Sequence, residues 1–224
     1  MIFAIVGILI ALKYFEVKNK TYIWWAIGVF GMGIPWLGGA ISFLIIIMGG
    51  EPLTLEQYLF ISLFSQPITL IFWLWTITEL MYKNKQKIIL GIYAISGIIF
   101  EMYLIYYLIT NPLVIGIFVD PPLDINYVGL TMLYAIFILI TVSISLLLFV
   151  RSGLKSDNPE VKLKAKFNLV AIISFVFGAV LDGYVSVNIV AVFIVRIILI
   201  SAAIEFYIGW ILPKSVKKIF LKNE

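Results

Sequence analysis

Apolar residues run along this chain in long windows separated by short charged or turn-rich breaks. The windows fall at about 2–17, 22–48, 56–82, 88–109, 127–150, 162–184 and 189–212. About 20 helical residues, rising about 1.5 Å each, cover the hydrocarbon core of a bilayer, about 30 Å thick. The first window is the shortest, with twelve residues ahead of Lys13, and it spans if that lysine snorkels to the headgroups. The pattern predicts an all-α membrane protein: a seven-transmembrane helix bundle over residues 1–213, followed by a short basic tail at 214–224.

Within the windows, small and polar residues recur at helical spacing. Placed at 100° per residue, Trp24, Gly28, Gly31, Pro35, Gly38, Gly39 and Ser42 share one face of the second window. Small residues let a neighbouring backbone approach closely and Pro35 interrupts the backbone ladder, so this face reads as packing surface or as a hinge and ligand wall. On the third window Ser62, Ser65, Gln66, Thr69, Trp73 and Thr76 form one stripe, with Pro67 turned away. Gln66, Thr69 and Trp73 are either members of a satisfied polar seam or lining of a pocket. The fifth window carries Thr131, Tyr134, Thr141 and Ser145 on one stripe, and the sixth carries Asn168, Ala171, Ser174, Gly178 and Asp182.

Charge then orients the bundle. Fifteen of the 16 basic residues lie in the breaks after the first, third and fifth windows and at the C-terminus. The breaks after the second, fourth and sixth windows hold none and carry Glu51, Asp120 and Asp124. By the positive-inside rule the N-terminus is outside and the C-terminus cytoplasmic, as an odd number of spans requires. The expected location is the cell membrane, as a multi-pass protein.

The exception is Arg196, inside the last window with Glu205. Ionised groups at such depth are costly and count as functional-site candidates. Nine positions separate the two, about 180° around a helix, so they face different ways. Glu205 shares its face with Ser201, Ala202 and Gly209, which marks that face as intramembrane packing, together with Pro35. Arg196 lies at a depth comparable to Glu101 and Asp182. It either pairs with one of those carboxylates to orient a small polar ligand or snorkels to lipid phosphates. Asp182 also reads as the opening of the turn Asp182-Gly183-Tyr184. No lysine stands between Lys166 and Lys214, so a retinal Schiff base on the last helix is excluded, and no cofactor is expected.

Composition narrows the chemistry. Hydrophobic residues make up 63% of the chain and charged residues 12%, far from soluble norms of about 45–50% and about 25%. Neither cysteine nor histidine is present, which removes thiol nucleophiles, the commonest metal ligand and the commonest general base. No enzyme activity, metal or nucleic acid is expected.

Two loops stand out. Thr110 to Asn126 is long, with Pro112, Pro121 and Pro122 around an apolar middle, and reads as a lid over the outer mouth. On the basic side, Ser156-Asp157-Asn158-Pro159-Glu160 is a helix-start signal, with a capping residue, proline at the first helical position and an acid in the first turn. The sixth helix therefore begins near Pro159, and Arg151, Lys162, Lys164 and Lys166 are offered to anionic lipid or to an effector.

The run from Tyr127-Val-Gly-Leu-Thr-Met-Leu-Tyr134 through Leu148-Phe-Val-Arg-Ser-Gly153 and Ser156-Asp-Asn-Pro-Glu-Val-Lys-Leu-Lys164 to Phe177-Gly-Ala-Val-Leu-Asp182 resembles the seven-helix N-terminal sensor region of prokaryotic histidine kinases. The resemblance covers about the second half of the chain. In that family the last helix leads into a signalling domain. Here the sequence ends at Glu224, so the resemblance implies output to a separate protein, or a lost kinase. The expected function is a stand-alone receptor-like sensor with an outer-half ligand site at Gln66, Thr69, Trp73, Glu101, Asp182 and Arg196. Its expected partners are membrane lipid, a cytoplasmic signalling protein, a small molecule of unknown identity and a second copy of the chain. The alternatives are a small-solute or ion transporter, with Pro35 and Pro67 marking broken helices, and an assembly protein whose buried charges meet a partner subunit.

Overall fold

A computed structural model describes residues 2–119, 123–183 and 189–221. Asp120, Pro121, Pro122, Tyr184 and Lys222, which the sequence reading used, lie outside them. The helices follow the apolar windows: α1 Ile2–Val17, α2 Thr21–Gly33, α3 Leu37–Ile47, α4 Leu55–Leu63, α5 Gln66–Met81, α6 Gln86–Thr110, α7 Gly129–Leu154, α8 Pro159–Asp182, α9 Ile189–Ile211 and α10 Lys214–Phe220. Among the described residues six helical segments are long and apolar enough to cross a membrane: Thr21–Ile47, Leu55–Met81, Lys83–Thr110, Gly129–Leu154, Pro159–Asp182 and Val192–Ile211. Helix α1 has 16 residues, about 24 Å at 1.5 Å each.

Two windows expected as continuous helices are interrupted, each at a proline. Pro35 sits in a single 3-10 turn, Ile34–Trp36, between α2 and α3. There the Leu37 amide reaches back to the Ile34 carbonyl, and the freed Gly38 amide donates instead to Ser62 Oγ at 3.3 Å. Pro67, the second residue of α5, has no N–H for the carbonyl of Leu63, and α4 stops at that residue.

The chain gathers into two compact units, residues 27–139 and residues 2–26 with 140–224. In the first, the two small-and-polar stripes face each other as an antiparallel zipper. A Cβ on Gly28 would stand 3.0 Å from Trp73 Cα, one on Gly38 2.5 Å from Ser62 Oγ, and one on Gly31 would collide with the Thr69 side chain. Glycine is what permits that approach. Gln66 donates to the Ser62 carbonyl at 2.7 Å and Thr69 to the Gln66 carbonyl at 3.0 Å. Their polar groups are thus satisfied within their own helical run.

The long loop contains a β-hairpin that the sequence reading did not anticipate. β1 Gly116–Val119 pairs antiparallel with β2 Asp124–Tyr127, with Gly116 opposite Tyr127. It is anchored at its base by Ile115, fully buried against Leu59, Leu63, Phe100, Leu104 and Tyr134. Tyr58 meets it edge-on at Phe118, with ring centroids 5.4 Å apart, and Tyr103 donates to the Val114 carbonyl at 3.3 Å. The apolar middle of the loop therefore packs onto α4 and α6.

In the second unit α1 lays Phe3, Val6, Gly7 and Ile10, a stripe at helical period, into the interior and packs on α9. Trp25 and Trp210 rings meet at 3.8 Å, and Trp210 stacks on Phe149.

Candidate functional site

The tightest pairing in the second unit is the α8–α9 hairpin. Its start follows the sequence signal: Asn158 Oδ1 accepts from the Glu160 amide at 2.9 Å and the Val161 amide at 3.4 Å, with Pro159 at the first helical position. From there α8 buries Leu163, Ala165, Asn168, Ala171, Ile172, Phe175 and Gly178 on one face. Opposite them α9 buries Val195, Leu199, Ala202, Ala203 and Phe206. Small residues set the spacing at both ends of the contact. A Cβ on Gly178 would stand 2.8 Å from Leu199 Cδ2, and one on Gly209 2.6 Å from Asn168 Nδ2.

Each end of this hairpin carries an ion pair. At the end where α8 finishes, Arg196 Nη1 lies 3.4 Å from Asp182 Oδ2, with the arginine side chain 33% exposed and the aspartate 12%. Of the fates the sequence left open for Arg196, this geometry is the pairing with Asp182. At the other end Leu212 adopts φ +47°, a left-handed residue of the kind that stops a helix. Pro213 follows, and α10 docks on the start of α8. There Lys217 bonds Glu160, and Phe220 meets Phe167 edge-on at 5.6 Å. The basic side chains around this end divide: Arg151, Lys162 and Lys166 are exposed and Lys164 is half-buried.

Between the two ends Ser201 Oγ donates to Glu205 Oε1 at 2.7 Å, one turn apart on α9. Glu205, Ser201 and the buried alanines thus lie together on the packed side, as their spacing suggested. Asn168 donates to the Lys164 carbonyl at 3.0 Å, while its Oδ1 has no partner.

The remaining site candidates belong to the first unit. Gln66, Thr69 and Trp73 are all buried, Thr69 against Gly31, Trp73 against Gly28 and Gln66 bonded to the Ser62 carbonyl, so in this structure they hold helices together. Pro35 terminates α2 beside that seam. Glu101 lies on the buried side of α6, one turn beyond Gly97, with both carboxylate oxygens shielded and unbonded.

The Glu160–Lys217 contact escaped the sequence reading. Its two residues had separate explanations, one as a first-turn acid and the other as a member of a positive tail, and they lie 57 positions apart. No family model matches the chain, and no curated protein or solved structure matches it either.

Proposed function

We propose that this chain is a seven-helix, receptor-like sensor of the cell membrane, with its N-terminus outside and its C-terminus in the cytoplasm. In this reading α1 is the seventh span. The observation that carries the proposal is the α8–α9 hairpin, a closely packed two-helix element with one ion pair at each end. A small polar ligand that competes for Arg196 or Asp182 on the outer side would change the register of that element. Because interdigitated helices rearrange between discrete packings rather than deform smoothly, the change would reach the contact of α10 with α8. Arg151, at the end of α7, and Lys162, Lys164 and Lys166, in the first turns of α8, would present its state to a cytoplasmic partner or to anionic lipid.

The test is amide hydrogen exchange of Lys214–Phe220 in lipid nanodiscs, comparing the native chain with Arg196→Gln. The sensor reading expects faster exchange in α10 when only the distant pair is broken. Unchanged exchange there would refute it.

The helix breaks at Pro35 and Pro67 favour a second reading, a small-solute or ion transporter, since discontinuous helices often carry transport sites. Counterflow of a solute in proteoliposomes that is lost in Glu101→Gln would establish that reading over the first.

A further inference from the structure

Within the long apolar helices, Glu79 is bonded by Lys83, Asp182 by Arg196 and Glu205, through one of its two oxygens, by Ser201. Glu101 has neither oxygen bonded and neither exposed. An ionised carboxylate left so in an apolar slab is strongly unfavourable, so Glu101 has to gain a proton or a counter-charge.

The neighbouring helix α7 carries two further buried oxygens without a partner. On α7, Thr131 is fully buried and Tyr134 is 9% exposed, three residues apart and so on one face. Thr131 Oγ1 and Tyr134 Oη both lack a hydrogen-bond partner. The Tyr134 ring stacks on Phe100 at 3.9 Å. Its Oη lies 3.9 Å from where a Cβ on Gly97 would stand, one helical turn from Glu101 on α6. Ser96 stands beside that hydroxyl but gives its own proton to the Tyr93 carbonyl at 2.9 Å.

The third wall is the break in the α4–α5 run. Pro67 Cβ is 3.0 Å from the same Cβ position on Gly97, and it leaves the Leu63 carbonyl without its helical donor. The α4–α5 run and α6 are consecutive spans and run in opposite directions. Leu63, one turn before Pro67, is therefore level with Glu101, one turn after Gly97. Leu63 indeed belongs to the cluster of Phe100, Leu104 and Tyr134.

We propose that this niche binds one small monovalent cation of the Na⁺ class, with the Glu101 carboxylate as counter-charge and the Thr131 hydroxyl, Tyr134 hydroxyl and Leu63 carbonyl as neutral ligands. Hard cations take oxygen ligands of this kind. A single carboxylate balances a single positive charge, whereas a divalent ion would keep a net charge in the apolar layer. No group of three or more acidic, histidine or cysteine residues suited to a metal occurs among the described residues. A proton would also neutralise Glu101, and dependence on Na⁺ rather than on pH separates the two. The site uses residues of the first unit alone and does not depend on the sensor reading, which rests on the second.

The experiment is thermal unfolding of the purified full chain in nanodiscs, titrated with NaCl against choline chloride at matched ionic strength, together with direct ²²Na⁺ binding. The expected result is a saturable rise of Tm with Na⁺ alone, as ligand linkage requires. Glu101→Gln should abolish it, and Thr131→Val and Tyr134→Phe should each weaken apparent affinity by roughly threefold to tenfold. Equal curves in the two salts would overturn the proposal. So would a Na⁺ effect that survives Glu101→Gln, or stabilisation that follows pH with no Na⁺ dependence. If Glu101→Gln fails to purify, the two hydroxyl variants decide the matter: unchanged Na⁺ affinity in both overturns the site.

Discussion

Breaking the Asp182–Arg196 pair from its two sides should give unequal losses. At 3.4 Å two unit charges attract by about 5 kcal/mol at an effective dielectric of 20. Exposure of a third of the arginine side chain and desolvation of the aspartate both reduce that figure. We expect a net coupling of about 2 kcal/mol. Asp182→Asn leaves an arginine long enough to turn its guanidinium toward headgroups, so the loss should be about 1–2 kcal/mol. Arg196→Gln removes the counter-charge of a carboxylate that is only 12% exposed, and the loss should reach about 3–4 kcal/mol. The double variant should be less destabilised than the sum of the two by the coupling. Reversible SDS unfolding in bicelles, followed by tryptophan fluorescence, measures all four corners of this cycle. If Asp182→Asn proves as damaging as Arg196→Gln, or the two effects add to within about 0.5 kcal/mol, the pair does not hold the hairpin.

Three further outcomes follow from the packing and the charge pattern. Gly31→Val places a branched side chain where Thr69 already stands and should destabilise the chain by about 1–3 kcal/mol in thermal unfolding, whereas Gly91→Ala, with open space around it, should not. Ile115→Ala removes a fully buried anchor and should cost about 2–4 kcal/mol, with amide protection lost first in β1 and β2. Because the chain has no cysteine, single cysteines report topology cleanly. Placed at Lys85, Asp157 or Lys218 they should react with an impermeant maleimide only in opened cells, and reaction of Lys85→Cys in intact cells would reverse the proposed orientation.

What the sequence made legible was set by local physics. The apolar windows place the helices, the Asn158-Pro159-Glu160 cap fixes the start of α8, and the glycine stripe of α2 and α3 meets the Ser62 to Trp73 stripe because glycine admits the larger side chains opposite. Less local features stayed hidden. The strands of the hairpin are four residues each, too short for a period of two to stand out beside prolines. Pro35 and Pro67 announced a disturbance, but whether a proline bends a helix or ends it depends on what receives the freed groups, here Ser62 for Gly38. The choice of Asp182 over Glu101 for Arg196 was equally out of reach, since depth along a helix says nothing about which neighbour stands beside it. The unmet oxygens of Glu101, Thr131 and Tyr134 required coordinates too, because an unpaired group is recognised only when all its neighbours are known.

The central claim is that the two ends of α8–α9 act together, and distance measurement between spin labels tests it most directly. Labels at Asp157→Cys and Ile219→Cys span the contact of α10 with α8 without touching either ion pair. The account predicts one narrow distance distribution in the otherwise native chain, and a shifted or second population when Arg196→Gln is added at the far end. An identical narrow distribution in both would contradict it and leave α8–α9 as a structural brace.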